Sequence, residues 1–203
     1  MAEALPFSQA CENNRQPILE VLQQHLQAPG RLLEIGSGTG QHAAWIPGQL
    51  PHIEWQPSDL ATNLPGIRGW LLQAGLANVT DPLELDVAGH WPEGPFEYLF
   101  TANTFHIMSA ALVERCIAQA AARLTPGGLL LVYGPFFYRQ GTNADSNLRF
   151  DAMLRQRDPL SGIRDYHWVE QQASNNGLIP IADHPMPANN RILVFQRADT
   201  TSG

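Results

Sequence analysis

Basic side chains are scarce in this chain of 203 residues: twelve stand against nineteen acidic ones, giving a net charge of -7 with no basic run anywhere. Recognition of duplex or transfer RNA by phosphate neutralisation is thereby disfavoured, and nucleic acid is not an expected partner. Cysteine is rarer still. Cys11 and Cys116 lie far apart, form neither a disulfide framework nor a CxxC metal pair, and suit a reducing compartment. Seven histidines are scattered without the spacing that sets two on one helical face, so no metal is expected. No apolar run approaches the roughly 20 residues of a membrane span, and residues 1–16 carry neither the charged nor the apolar region of an export signal. These absences lead to the expectation of a cytoplasmic protein held by no membrane. The sequon at Asn78-Val79-Thr80 is then set aside, because so short a pattern arises by chance.

Apolar residues, by contrast, make up 44% of the chain and charged ones only 15%, a balance that supports a sizeable core and excludes a largely disordered chain. The length fits one domain, residues 1–203. Residues 17–26 place apolar side chains at 18, 19, 22 and 26, which predicts a leading helix with Pro17 in its first turn. A short apolar run at 31–35 stops at a glycine cluster, and residues 41–46 continue as a helix until Pro47. Strands follow at 53–57 running into Ser58-Asp59, at 83–86 and at 97–101, with helical stretches through Leu71, Leu72 and Leu76 and over 110–124. Pro126-Gly127-Gly128 then predicts a turn before the continuous apolar run 129–133, the mark of a strand covered on both faces.

Five alternating strand and helix units predict a doubly wound α/β fold. Beyond Gly134 comes a loop rich in aromatic and polar residues, then helices around 146–155 and 166–175. Strands near 178–183 and 191–196 complete a seven-stranded sheet with an antiparallel edge.

The segment that carries chemistry runs from Leu32 through Glu34 and Ile35 into Gly36-Ser37-Gly38-Thr39-Gly40. In an open α/β sheet ligands sit at the carboxyl ends of the strands, where this first turn faces the crevice. Glycine permits positive φ and close approach of a cofactor to the backbone, and the helix start beyond it offers N–H groups to an anion. A tight turn uses glycine for structural reasons too, so the loop alone does not decide the matter. Asp59, nineteen residues after Gly40, stands at the end of the second strand, where an acid accepts hydrogen bonds from two ribose hydroxyls. Asp86 and the Val87 backbone end the third strand, placed for an adenine edge. Either acid singly is also explained as a helix cap.

The GxGxG spacing and the preceding Glu34 resemble the first motif of class I S-adenosylmethionine (SAM)-dependent methyltransferases, a Rossmann-like superfamily. The resemblance implies SAM as cofactor, with Gly36, Ser37 and Gly38 along its methionine part, Asp59 at the ribose, Asp86 by the adenine and Asn103 near the amino-acid moiety. Within the superfamily the chain also resembles the methyltransferase-like 26 family. The matching words include Glu12-Asn13-Asn14-Arg15-Gln16-Pro17-Ile18, Ala102-Asn103-Thr104-Phe105-His106-Ile107 and Tyr133-Gly134-Pro135-Phe136. Asp145-Ser146-Asn147, Gly162-Ile163-Arg164-Asp165 and Met186-Pro187-Ala188-Asn189-Asn190 extend the match over nearly the whole chain. Asn13 departs from it where arginine is expected.

These readings lead to a methyltransferase acting on a small-molecule acceptor, with a SAM-binding sensor or scaffold as the alternative. An NAD-dependent oxidoreductase lacks support, since there is no Tyr-x-x-x-Lys pair. His106 is the candidate general base, because an unperturbed imidazole titrates near neutrality. Asn14 and Arg15, ahead of the predicted first helix, are expected to fold over the cofactor or substrate, or to cap the surface. Tyr133, Phe136, Phe137 and Tyr138 offer π faces to a sulfonium or an apolar substrate, with core packing as the alternative for Phe136. Asn189 and Asn190 are substrate or turn residues. Arg164-Asp165 is expected to pair locally or face solvent. Oligomeric state is not legible.

Overall fold

The computed structural model describes residues 4–139 and 143–199. Its contacts gather into two compact units, Met1–Pro92 with Phe96–Thr101, and Glu93–Pro95 with Ala102–Gly203.

The first unit opens with helix α1, Gln9–His25, capped by Ser8, whose hydroxyl accepts from the Cys11 amide. The helix therefore begins eight residues before the expected start, and Pro17 lies inside it. A proline removes one donor without stopping a helix whose buried face, Ile18, Leu19, Val21 and Leu22, is already fixed by packing. Strand β1, Gly30–Ile35, follows; residues 32 to 35 are all buried, as a central strand covered on both faces requires. The glycine turn leads into α2, Gln41–Trp45, only five residues long, and a 3-10 turn at Ile46–Gln49 begins where Pro47 was expected to break the helix.

Strand β2, Ile53–Asp59, pairs parallel with β1 from Gly30 opposite Ile53 to Ile35 opposite Ser58. Helix α3, Leu64–Ala74, ends at Gly75, whose left-handed φ of 61° closes it before Leu76, which therefore lies outside the helix. Strand β3 is only Leu83–Glu84, so Asp86 stands beyond it, and β4 is Phe96–Ala102, parallel to β1. Asn78, the sequon residue, donates to the carbonyls of Pro47, Leu50 and Ile53, an internal brace.

In the second unit helix α4, Ala110–Arg123, buries Val113, Cys116, Ile117, Ala120 and Ala121 along one stripe. It passes directly into β5, Leu124–Gly134. The Pro126-Gly127-Gly128 turn is thus absent: Gly127 takes a φ of 77° inside the strand, and its carbonyl accepts from the Gln196 amide group. Then come β6, Phe136–Phe137; α5, Asp145–Arg157; β7, Arg164–Asp165, parallel to β6; and α6, Tyr166–Asn175. Residues 140–142 of the expected loop lie outside the described residues. Strands β8, Leu178–Met186, and β9, Asn190–Arg197, close the fold, and β9 pairs antiparallel with both β5 and β8.

The strand order is β3-β2-β1-β4-β5-β9-β8, an α/β fold on a seven-stranded mixed sheet with an antiparallel edge. Among the described residues no helix is long and apolar enough to cross a membrane.

Candidate functional site

In the first unit the parallel strands β1 and β2 end side by side, and the loop after β1 is bonded back onto the end of β2. The amides of Gly36 and Ser37 both donate to the Ser58 carbonyl, at 3.0 and 2.9 Å. The Gly38 amide donates to Asp59 Oδ2 at 2.6 Å, and the Gly40 amide to the Ser37 carbonyl at 2.9 Å. Four of the loop's amides, those of Gly36, Ser37, Gly38 and Gly40, are therefore committed internally, and the helix that follows is only five residues long. What the loop presents instead is backbone surface. All three glycines have positive φ, and a Cβ at Gly38 would meet nothing within 4 Å, whereas one at Gly40 would come within 2.8 Å of the Ile67 Cα. Gly40 is thus required by packing on α3, and Gly38 leaves room for a ligand.

Asp59 is buried and accepts three hydrogen bonds, from Gly38, from the Leu60 amide at 2.7 Å and from Asn63 Nδ2 at 2.8 Å. A carboxylate has about four acceptor positions, which leaves about one for a ribose hydroxyl rather than the expected two. Glu34 is only 1% exposed; one oxygen accepts from the Ser37 hydroxyl at 2.8 Å and the Trp55 indole at 2.9 Å. Burial pushes its carboxyl up to about 7 against the pull of those two donors. Glu34 is thus an anchor of the loop from beneath. Asp86 is exposed, with Oδ1 accepting from the Ala88 amide, and the Val87 carbonyl accepts from the Trp91 indole.

Asn14 and Arg15 do not precede the first helix; they lie within α1. Asn14 is buried and its Oδ1 is 2.7 Å from His42 Nε2. Arg15 pairs with Glu12 at 2.9 Å and lies 4.8 Å from the Trp45 ring centre. Burial, aided by Arg15, lowers His42 to about 4. Asn13, the departure from the family word, accepts from Gln9 on the exposed face. Sequence reasoning missed Gln41, Thr39 and Ser8. Gln41 binds all of Ser8, Glu12 and Thr39, partners separated from it by up to 33 residues.

In the second unit the family words converge. Asn103 takes a left-handed φ of 59°, and its amide donates to the Tyr133 carbonyl at 2.9 Å. A Cβ on Gly134 would lie 3.7 Å from His106 Nδ1 and 3.9 Å from Asn103 Oδ1, ordinary contact distances that set both side chains beside the end of β5. His106 is 6% exposed, packs edge-on to Phe150 at 5.2 Å, and its carbonyl accepts from Gly162. Arg164 donates to the carbonyls of Phe105, Met108 and Leu160. Contrary to expectation it neither pairs locally nor faces solvent, and it clamps the segment that carries His106. Asp165 instead caps α6 and pairs with Arg139 at 3.3 Å. Burial and the Arg164 charge lower His106 to about 4, well below the near-neutral value expected of a general base.

Tyr133 and Phe136 are buried and Phe137 is half-buried. Tyr138 stacks on Tyr166 at 5.1 Å and donates to Asp183 at 2.8 Å, a packing role. Asn189 has a φ of 57° in the 3-10 turn Pro187–Asn189; it donates to Ser146 at 3.1 Å and accepts from Asn147. Asn190 donates to the Pro187 carbonyl. Asn189 thus ties the turn to the start of α5, and Asn190 closes the turn at the first residue of β9. Among the described residues no group of three or more His, Cys, Asp and Glu is placed to hold a metal.

Solved structures share this fold. An O-methyltransferase family protein from Burkholderia thailandensis is 18% identical with a TM-score of 0.81, over 94% of this chain and 58% of that one. The pyocyanin biosynthetic protein PhzM is 16% identical with a TM-score of 0.78, over 93% and 56%. Human N-acetylserotonin methyltransferase, solved in complex with SAM, is 14% identical with a TM-score of 0.76, over 93% and 53%. The chain thus has the fold of the Rossmann-like methyltransferases and spans a little over half the length of these proteins. Residues 5–197 match the family described as "Protein of unknown function (DUF938)", and the chain belongs to that family.

Proposed function

We propose that this protein is a SAM-dependent methyltransferase acting on a small-molecule acceptor in the cytoplasm, its 203 residues forming one methyltransferase-like domain. The observation that carries the reading is the union of the glycine loop with Asp59 at the carboxyl ends of two adjacent parallel strands, with open space over Gly38. The residues present fit the cofactor: a backbone surface without side chains, and a buried carboxylate with acceptor capacity left for a hydroxyl. Gly36, Ser37, Gly38 and Gly40 would line it, Asp59 would hold its ribose, and Asp86 with Val87 would meet its adenine. By the family resemblance Asn103 is assigned to its amino-acid end. The narrower resemblance to the methyltransferase-like 26 family belongs to this proposal as well.

When bound, SAM supplies an electrophilic methyl group on a sulfonium. Transfer by in-line displacement asks the protein mainly to align the acceptor and exclude water. His106 is neutral at physiological pH and is assigned to the acceptor, as a hydrogen-bond partner able to take a proton. Tyr133, Phe137 and the Asn189-Asn190 turn are weaker candidates for acceptor binding, since the latter two asparagines already serve the fold.

Incubation of the protein with SAM and fractionated pools of small metabolites, read by mass spectrometry for S-adenosylhomocysteine, tests the activity. Acceptor-dependent S-adenosylhomocysteine formation is expected, and its mass balance identifies the acceptor. Binding of SAM with no turnover in any pool would favour the sensor reading.

A further inference from the structure

The side chain of Gln41 joins two segments distant in sequence. Its amide oxygen accepts from the Ser8 amide at 2.6 Å and from the Thr39 hydroxyl at 2.9 Å, while its amide nitrogen donates to Glu12 Oε1 at 2.7 Å. Thr39 belongs to the glycine loop; Ser8 and Glu12 belong to the cap and first turn of α1. Gln41 is 2% exposed, so an unmatched amide here would carry the full desolvation penalty. The next residue repeats the pattern, His42 reaching Asn14.

The arm just ahead of the cap is seated independently. The Trp70 indole donates to the Pro6 carbonyl at 2.7 Å. A Cβ on Gly66 would come within 2.5 Å of Pro6 Cγ, and one on Gly69 within 2.3 Å of Leu5 Cδ2. The arm therefore lies directly on the backbone of α3, the helix that follows Asp59 and Asn63. One continuous stretch of chain, residues 5–12, is thus fastened to both partners of the Gly38–Asp59 hydrogen bond: to the loop through Gln41 and to the Asp59 side through α3.

We propose that Gln41 is a positioning residue which, with the arm of residues 5–8, braces the glycine loop, so that docking of the arm and retention of the cofactor are coupled; the second half of this statement rests on the SAM reading above. The bracing acts through a matched set of donors and acceptors. Gln41→Glu removes the donor to Glu12 and sets two carboxylates against each other, whereas the exchange Glu12→Gln with Gln41→Glu returns a donor and an acceptor to the same pair. Gly66→Leu lifts the arm from α3 without touching the loop.

Amide hydrogen exchange of residues 36–41 in the ligand-free, full-length protein reads the brace directly. Gln41→Glu and Gly66→Leu should each speed exchange of the loop about tenfold, and the double exchange variant should return it to within about threefold of wild type. Affinity for S-adenosylhomocysteine should fall and recover in the same order. Trp70→Phe, which removes the bond to Pro6 and keeps an aromatic ring on α3, serves if Gly66→Leu does not fold, and should speed loop exchange about threefold. Loop exchange unchanged by these variants, or a Gln41→Glu effect that the paired exchange leaves uncorrected, overturns the brace. If the exchange pattern holds but wild type has no affinity for S-adenosylhomocysteine, the cofactor reading fails and the brace stands.

Discussion

The Gly38 amide lies 2.6 Å from Asp59 Oδ2, so the acid that ends β2 holds the middle of the loop that follows β1. The pairing gives Asp59 two tasks, to shape the loop and to receive a hydroxyl. Asp59→Ala should weaken SAM binding by roughly 1 to 3 kcal/mol, the scale for losing hydrogen bonds to a charged acceptor. Calorimetry on the variant measures this, and an unchanged affinity would remove Asp59 from the cofactor site.

Glu34 sets a pH dependence. Its folded value near 7 lies above the ordinary 4.5, so the folded state binds its proton more tightly than the unfolded chain does. Its contribution to stability is full below about pH 4.5 and is lost as pH rises toward about 7. Glu34→Gln keeps an oxygen for Ser37 and Trp55 and cannot ionise. The variant should gain stability relative to wild type across that window, on the order of 1 to 3 kcal/mol. Parallel melting curves at pH 5 and pH 8 read the difference; a gap independent of pH would contradict the assignment.

His42 and His106 have the opposite sign. Each is held near 4, below the ordinary 6.5, by burial first and a nearby arginine second. Their contribution to stability is present above about pH 6.5 and is lost as pH falls through 4. Their imidazole resonances should therefore stay at the neutral position between pH 5.5 and 8. Titration of either in that range by NMR would show that its burial is incomplete.

For His106 the lowered value also bears on catalysis. His106→Ala should slow turnover about a hundredfold while SAM affinity stays near wild type. Normal turnover in the variant would reduce His106 to its packing against Phe150.

Arg164 provides a stability test. Removing its guanidinium leaves the carbonyls of Phe105, Met108 and Leu160 without a donor. Arg164→Met should cost on the order of 3 kcal/mol, and Arg164→Lys should recover little of it, because an ammonium lacks the planar fork. Denaturant titration checks both.

Much of this was legible in the sequence. The apolar run into Gly36, the acid at Asp59 and the alternation of strands and helices follow from local chemistry, and the fold bears them out. The misreadings came where distant partners overrule local signals. Pro17 reads as a helix start, but the Ser8 cap and the buried stripe carry α1 back to Gln9. Pro126-Gly127-Gly128 reads as a turn, but β5 runs through it, paired with β9 from Leu129 onward, and the Gln196 side chain binds the Gly127 carbonyl. The lowered pKa of His106 comes first from burial and then from the charge of Arg164, 58 positions later, and the role of Gln41 depends on Ser8 and Glu12. No spacing rule links such residues.

Calorimetric titration of the purified protein with SAM, S-adenosylhomocysteine and NAD in parallel tests the central claim most directly. Binding of the first two at roughly micromolar dissociation constants, and none of NAD, is expected. Binding of NAD alone, or of none of the three, would contradict it.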